Sequence, residues 1–295
     1  MANNPLVDAE DFEAEDPATC PEYARLLARY DMPLTDAAVL GRGSMSVVRR
    51  AVRREDQLPV AVKQLPKQLA NEALREVASM AELDSPDILR LFDLFVCAKN
   101  VFIVTELAQG GDLLSFIRER ERLSEQDTRE IARRLLRGVQ YLHAHGIAHR
   151  DLKPENILCA TKSPTDVRIA DFSVSKIVSN GSFLRTMCGS PHYLAPEVLL
   201  CSNYSPKVDM WSLGVILYVC LTGFLPFYHD DIRKLVTKIV LAQYSWPPEV
   251  RVSPLAQDFI SHLLDKEPDT RFDATTALRH PWLSRGKGIV LSGAK

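Results

Sequence analysis

The chain has 295 residues, of which 46% are hydrophobic and 25% are charged, and its formal net charge at pH 7 is −2. This composition is typical of a globular protein with one large or two modest domains, and it excludes a disordered or fibrous chain. The near-zero net charge offers no electrostatic basis for binding nucleic acid or an anionic membrane, so neither is an expected partner.

The cysteines and the N-terminus indicate the compartment. The six cysteines are scattered and form no Cys-x-x-Cys pair, which favours reduced thiols over a disulfide framework or a zinc site. The first residues lack a basic start followed by an apolar run, so we expect no secretory signal. We therefore expect a cytoplasmic protein, with nuclear access left open.

Residues 1–34 are expected to form an acidic, partly flexible N-terminal extension. Lysine and arginine are absent from the first 24 residues, whereas aspartate and glutamate are frequent there. Tyr23, Leu26, Leu27 and Tyr30 recur at helical spacing and predict a helix that docks on the folded domain.

The rest of the chain divides into a strand-like part and a helical part. Between about 36 and 106, short β-prone runs are broken by Gly, Pro and charge, and one amphipathic stretch at 69–83 interrupts them. After about 111, Ser124 and Asp127 predict a helix N-cap. Later helices are predicted near 207–223, 231–242, 254–265 and 273–279. This order predicts an α+β fold of two lobes, with a cleft between them.

An uncharged, mostly apolar run at residues 210–228 is about long enough to cross a membrane. It contains Gly214, Gly223 and Pro226 and has no basic flank. A buried core helix is therefore the favoured interpretation, and no membrane partner is expected.

A glycine-rich segment and a lysine suggest phosphate chemistry. Gly41 and Gly43 form a Gly-x-Gly turn, where the missing side chains let the backbone approach a phosphate closely. Strand-prone residues follow, so a strand–loop–strand is favoured over a dinucleotide-binding turn, and no G-x-x-x-x-G-K-[ST] loop occurs. Lys63 ends the apolar run Val60-Ala61-Val62-Lys63, and Glu76 is the natural counter-charge if the lysine is buried. An edge-strand lysine facing water is the alternative at this point.

Residues 149–156, His-Arg-Asp-Leu-Lys-Pro-Glu-Asn, match the catalytic-loop motif H-R-D-x-x-x-x-N of protein kinases without a substitution. The glycine loop, the lysine strand, Asp171-Phe172-Ser173 and Ala195-Pro196-Glu197 occur in the family's order. The chain thus resembles eukaryotic-type protein kinases over roughly residues 36–283. The resemblance implies a bilobal protein kinase fold, with an N-lobe at about 35–107, a C-lobe at about 108–283 and a short tail at 284–295.

The resemblance also implies ATP and Mg²⁺ as cofactors and assigns roles to individual residues. Asp151 would receive the proton of the substrate hydroxyl, Lys153 would steady the γ-phosphate, and Asn156 and Asp171 would bind magnesium. Lys63, paired with Glu76, would hold the α- and β-phosphates. The implied nucleotide contacts are Leu40, Gly41, Arg42, Gly43, Ser44, Met45, Ser46, Val47, Val48, Ala61, Lys63, Thr105, Glu106, Ala108, Asp112 and Leu158. Thr105 falls at the gatekeeper position, where a small side chain should leave the rear of the pocket open.

Further motifs define the kind of kinase. Lys153 and residues 189–194 are similar to serine/threonine kinases, although Ser190 stands where that class usually has Thr. The glycine loop, residues 211–218 and 280–282 resemble the calcium/calmodulin-dependent kinase group, and in particular phosphorylase kinase catalytic chains. Calmodulin is not an expected partner, because about a dozen residues follow Trp282.

Substrate selection and regulation follow from the same resemblance. Protein substrates are the implied partners, and Asp112, Glu155 and Ser190 are the implied substrate contacts. The two acidic residues lie where arginine upstream of the phosphoacceptor is often received. An upstream activating kinase is also implied. Its acceptor would be Thr186, with Arg150 and Lys176 binding the added phosphate.

Two departures leave an alternative open. Ser46 replaces the third glycine of the loop, and Ser173 replaces the glycine of Asp-Phe-Gly, where a left-handed backbone would cost a non-glycine residue roughly 1–2 kcal/mol. The alternative is a pseudokinase or nucleotide-binding scaffold with weak or no transfer. An active kinase is favoured, because the charged catalytic residues are all present: Lys63, Glu76, Asp151, Asn156 and Asp171. A small-molecule phosphotransferase fits poorly with an Ala-Pro-Glu segment.

Overall fold

The computed structural model describes residues 15–43, 46–71, 74, 77, 80–81, 83–172, 191–200 and 205–284. The described chain forms two compact units. The first runs to Gln109 and also includes Asp171 and Phe172, and the second begins at Gly110 and contains the remaining described residues.

The first unit is built on an antiparallel sheet. Its strands are β1 (Tyr30–Asp31), β2 (Val39–Arg42), β3 (Val47–Arg53), β4 (Pro59–Pro66), β5 (Leu91–Val96) and β6 (Asn100–Glu106). The order is β1-β3-β4-β6-β5, and β2 also pairs with β3. The strand-like pattern predicted for this part of the sequence is confirmed.

Alternation along the strands gives the sheet two apolar faces. Val62, Phe95 and Phe102 lie in one buried cluster, whereas Leu65 and Ile103 lie in another. The predicted N-terminal helix is confirmed as α1 (Pro21–Arg29), and its Tyr23 and Leu26 belong to the first cluster. Residues 70, 71, 74, 77 and 80, within the predicted amphipathic stretch, are helical.

The second unit is mainly helical. Its helices are α2 (Leu113–Arg120), α3 (Glu125–Ala144), α4 (Pro196–Leu199), α5 (Val208–Thr222), α6 (Ile232–Val240), α7 (Pro254–Leu263), α8 (Ala274–Leu278) and α9 (Pro281–Ser284). A small sheet adds β7 (Gly111–Asp112), β8 (Ile157–Cys159) and β9 (Val167–Ile169). The predicted cap of α3 is confirmed, since the Ser124 hydroxyl accepts the Asp127 amide at 3.0 Å. The later predicted helices correspond to α5 through α8.

Helix α5 explains the long apolar run. All of its residues are buried, and it ends at Gly223, whose φ of +79° is left-handed. Gly214 allows close packing on α7, because a Cβ there would lie 2.8 Å from Leu264 and 2.9 Å from Leu263. Within the described ranges, no helix is both long and apolar enough to span a bilayer. The buried-helix interpretation is confirmed.

Candidate active site

Lys63 lies on a central strand, so the edge-strand alternative is wrong. β4 pairs with β3 on one side and β6 on the other, and Lys63 stands opposite Val48 and Ile103. Its Nζ lies 3.6 Å from Oδ1 of Asp171, with exposed side-chain fractions of 22% and 40%. Asp171 itself has a left-handed φ of +63°. The first unit therefore holds a partly solvated pair of opposite charges.

The glycine segment forms the strand–loop–strand that the sequence predicts. Arg42 on β2 pairs with Val47 on β3, and the Gly43 amide donates to the Ser46 carbonyl at 2.8 Å. The Arg42 guanidinium also forms an ion pair with Asp36 at 2.9 Å. This backbone hydrogen bond forms with serine at position 46, in place of the family's third glycine.

One face of the first sheet carries several of the implied nucleotide contacts. Val48 stands opposite Lys63, and Ala61 stands opposite Thr105, so all four side chains share that face. Leu40 on β2 is half-exposed. Beyond this face, the Glu106 amide donates to the Arg90 carbonyl at 2.8 Å.

The catalytic loop of the second unit brings Asp151, Lys153 and Asn156 together. The Lys153 ammonium donates to Oδ2 of Asp151 at 2.7 Å. Asn156 Nδ2 donates to the same oxygen at 3.0 Å and to the Asp151 main-chain carbonyl at 2.8 Å. The aspartate is thus held by two donors, while about a third of its side chain stays exposed.

Asp209, at the start of α5, anchors this loop from behind. Its fully buried carboxylate accepts the main-chain amides of His149 at 2.9 Å and Arg150 at 2.8 Å. It also contacts Nε2 of His143 at 2.8 Å. Arg150 has a left-handed φ of +69°, a strained state that these bonds help to hold. His143, on α3, had no sequence signal, because only the folded chain brings it to Asp209.

A second buried anchor joins Glu197 and Arg271. Arg271 Nη1 and Nη2 donate to the two Glu197 oxygens at 2.7 and 3.0 Å, which makes the pair bidentate. The arginine also donates to the carbonyls of Asp265 and Lys207. This pair is structural, since it lies in the core and its donors are all directed at protein oxygens.

Asp112 and Leu158, two of the implied nucleotide contacts, stand opposite each other on the paired strands β7 and β8. Asp112 Oδ1 caps α2 by accepting the Ser115 amide at 2.7 Å and its hydroxyl at 3.0 Å. Leu158, on β8, is half-buried. Burial raises the pKa of the neighbouring Cys159 thiol to about 12, with the Asp112 charge adding to the effect. That thiol is therefore protonated at neutral pH.

A cavity of about 830 Å³ opens in the second unit beside Glu155. Its lining residues include the acidic Glu121 and Glu249 together with the basic Arg118 and Arg122. Apolar side chains complete the lining: Leu114, Ile117, Val219, Phe224, Leu225 and Val250. His192 also lines the cavity, and burial lowers the pKa of its imidazole. Sequence reasoning singled out Glu155 here but missed Glu121 and Glu249, which lie far apart along the chain.

Several residues singled out from the sequence lie outside the described part of the chain. They are Ser44, Met45, Glu76, Ser173, Lys176, Thr186 and Ser190. Their assigned roles stay predictions.

Comparison with known proteins now defines the class. A family model described as "Protein kinase domain" matches residues 34–283, and the chain belongs to this family. A probable myosin light chain kinase of Dictyostelium discoideum is 44% identical over 253 residues, covering 85% of this chain and 81% of that protein. Calcium/calmodulin-dependent protein kinase type IV of Mus musculus is 39% identical over 252 residues, covering 83% of this chain and 53% of that protein.

A solved structure supports the same assignment. The crystal structure of Rad53 1-466 in complex with AMP-PNP has a TM-score of 0.75 and 36% sequence identity, covering 88% of this chain and 66% of that one. The chain is accordingly an ATP-binding protein serine/threonine kinase of the calcium/calmodulin-dependent kinase group, as the motifs predict. Nothing in the comparisons supports the pseudokinase alternative.

Proposed function

We propose that this kinase uses ATP and Mg²⁺ to phosphorylate serine or threonine in protein segments that carry arginine upstream of the acceptor. The observation that carries the catalytic part is the contact of Asp151 with Lys153 and Asn156 at 2.7 and 3.0 Å. Phosphoryl transfer passes through a loose, highly charged transition state, so positioning and charge neutralisation supply most of the catalysis.

Asp151 would accept the proton of the substrate hydroxyl as the new P–O bond forms. Its partners suit that role, because Asn156 fixes the carboxylate and Lys153 keeps a positive charge beside it. The Lys153 ammonium, on the same carboxylate, can then bind the γ-phosphoryl oxygens, where negative charge concentrates.

The magnesium assignment is supported by the donor atoms of the residues implied by the motifs. Both side-chain hydrogen bonds described for Asn156 use its amide nitrogen, which leaves the oxygen Oδ1 to bind a cation. Asp171 offers a carboxylate with a 40% exposed side chain. Such hard oxygen ligands suit Mg²⁺, which when bound would neutralise charge on the phosphates.

The nucleotide assignment is supported by the shared face of Val48, Ala61, Lys63 and Thr105. Lys63 would hold the α- and β-phosphates by its ammonium, and the apolar members of this face would contact adenine.

Because the gatekeeper Thr105 is small, we expect bulky inhibitors directed at the ATP site to bind. Binding of such inhibitors should weaken sharply in a Thr105→Met variant.

The substrate preference is supported by the cavity beside Glu155. Its carboxylates offer bidentate partners for an incoming arginine, and its apolar lining suits that residue's methylene stem. Asp112 contributes less to this proposal, because its Oδ1 already caps α2.

We also propose that phosphorylation of Thr186 activates the kinase, with Arg150 and Lys176 binding the added phosphate, and that the protein is cytoplasmic. Calmodulin appears in the names of some relatives and is not proposed as a partner here.

The test is radiolabelled phosphate transfer to paired peptides that differ only in one upstream arginine. We expect the arginine peptide to have the lower KM, and Glu155→Gln to raise its KM about tenfold, a loss typical of one charge-assisted contact. The peptide without arginine should be unaffected by that change, and Asp151→Asn should abolish transfer to both. Equal KM values for the two peptides in the unaltered enzyme would refute the preference without touching the kinase activity.

A further inference from the structure

Residues 15–32 precede the region that the family model matches, yet they are built into the first unit. We call this segment the strap; it contains α1 and β1. The Tyr23 ring stacks on Phe102 at 5.5 Å between centroids, and Tyr30 meets Phe95 edge-on at 6.3 Å. The strap therefore covers one apolar face of the sheet and forms part of its core.

Glu15, at the start of the strap, binds the turn between β5 and β6. Its Oε1 accepts the main-chain amides of Lys99 and Asn100, each at 2.7 Å, and the Asn100 side-chain amide at 3.2 Å. Hydrogen bonds to a carboxylate are roughly twice as strong as those between neutral groups. One side chain thus fixes the whole turn.

Asn100 extends this contact to β4. Its side chain is 1% exposed, and its Oδ1 accepts Gln64 Nε2 at 3.1 Å. Gln64 Oε1 in turn accepts Nη1 of the buried Arg49 at 2.7 Å. In a buried polar network each member depends on its neighbours, because a partner lost in low dielectric is not replaced by water.

The network acts on β4 from behind Lys63. Gln64 and Lys63 are consecutive residues, so their side chains point to opposite faces of the sheet. Gln64 shares the strap face with Val62, and Lys63 lies on the other face, 3.6 Å from Asp171. A displacement of the Gln64 main chain would therefore move the backbone that carries Lys63.

We propose that Glu15 is a positioning residue for phosphate transfer, which acts through Asn100 and Gln64 to hold Lys63 in register for ATP. The proposal rests on the ATP-binding role of Lys63 proposed above. The strap would then affect ATP binding indirectly. It lies outside the residues that the family model matches, and Glu15 itself would not contact ATP.

The test compares three full-length variants. Glu15→Ala removes the acceptor, Glu15→Gln keeps an amide oxygen in its place, and Glu22→Ala removes a strap carboxylate that pairs with the exposed Arg25. We expect Glu15→Ala to raise the KM for ATP about fivefold to tenfold, with kcat changed less than about twofold. Glu15→Gln should return the KM to within about twofold of the unaltered enzyme, and Glu22→Ala should match that enzyme. A purely structural strap would lower the melting temperature and leave the KM unchanged.

Hydrogen exchange without ATP gives a readout independent of activity. Amides of residues 62–64 and 99–100 should exchange faster in Glu15→Ala and normally in Glu22→Ala. A normal KM for ATP in folded Glu15→Ala, or the same rise in Glu22→Ala, would overturn the proposal. Should Glu15→Ala fail to fold, Gln64→Met cuts the network while leaving the strap intact, and its KM for ATP must rise for the proposal to stand.

Lys63→Met separates this proposal from the one on which it rests. It must weaken ATP binding, measured as the Kd of a fluorescent ATP analogue. An unchanged Kd would overturn the role of Lys63 and the positioning role with it. If the Kd is raised in Lys63→Met but the KM for ATP stays normal in Glu15→Ala, the strap proposal alone is overturned.

Discussion

Two ion pairs, one in each unit, differ sharply in how far they are buried. In the second unit, Arg271 and Glu197 are 0% and 6% exposed, and both Nη atoms of the arginine contact carboxylate oxygens at 3.0 Å or less. In the first unit, Lys63 and Asp171 meet at 3.6 Å with 22% and 40% of their side chains exposed. The buried pair is enclosed by protein and bidentate, whereas the open pair is longer and partly exposed to solvent.

In the proposed function, this difference separates residues that hold the fold from residues that do chemistry. A buried charge without its partner is very costly, so such a pair resists change. A partly solvated pair contributes little to stability, and water already competes for it. Groups of the second kind can exchange their partner for a phosphate or a metal ion, which an active site requires.

The largest expected effect on activity is that of Asp151→Asn. We expect transfer to fall about a thousandfold, equivalent to about 4 kcal/mol of barrier, because the amide cannot accept the hydroxyl proton. The melting temperature should change by less than about 2 °C, since the side chain is partly exposed. Radiolabelled transfer and thermal denaturation check this. Glu267→Gln, at an exposed pair, is the charge-matched control. Residual transfer above a tenth would remove Asp151 from the proposed chemistry.

The largest expected effect on stability is that of Arg271→Met. Leaving Glu197 buried without its cation should lower the free energy of unfolding by about 3–5 kcal/mol, measured by denaturant titration. Lys266→Met removes a cation from an exposed pair and should cost less than about 1 kcal/mol. The double variant Arg271→Met/Glu197→Met should be more stable than Arg271→Met alone. A double variant that is less stable would show that the orphaned charge is not the cause.

These contrasts show what the sequence could predict. The Asp151 loop, the Lys63 strand and the burial of α5 each depend on local patterns, so contiguous residues were enough to predict them. The contacts of Glu15 with Asn100 and of His143 with Asp209 join residues 85 and 66 positions apart. No local pattern marks such partners, because the fold brings them together only after each element has formed.

Asp209→Asn tests whether the buried Asp209 carboxylate influences the partly exposed Asp151 in the catalytic loop. The amide offers one acceptor and a donor where two main-chain amides now donate to a carboxylate. We expect the free energy of unfolding to fall by about 2 kcal/mol. We also expect kcat to fall on the order of tenfold, since Asp151 follows the freed backbone of Arg150. The KM for ATP should stay unchanged. A loss of stability with normal kcat would confine Asp209 to the fold.

The smallest expected effect concerns pH and Glu125. Burial alone would raise the pKa of this carboxyl, but hydrogen bonds donated by Trp282 and Ser253 outweigh it and hold the pKa below its ordinary value. Because the folded state binds the proton less tightly, these contacts stabilise the fold above about pH 4.3 and are lost as the pH falls through the lower folded pKa.

Glu125→Gln should therefore lower the free energy of unfolding by about 1–2 kcal/mol at pH 7, since the bonds to Trp282 at 2.9 Å and Ser253 at 2.8 Å lose their charge. The gap between variant and unaltered protein should close on acidification below about pH 4, because protonation makes the glutamate resemble the amide. Denaturant titrations from pH 7 to pH 3.5 measure the free energy of unfolding and its dependence on pH. The control is Glu130→Gln, which lies on the same helix and removes a charge from the pair with Arg133. It should change the free energy of unfolding by less than about 0.5 kcal/mol. A gap that stays constant with pH would mean that the hydrogen bonds matter and the charge does not, which would place Glu125 between the two kinds of site.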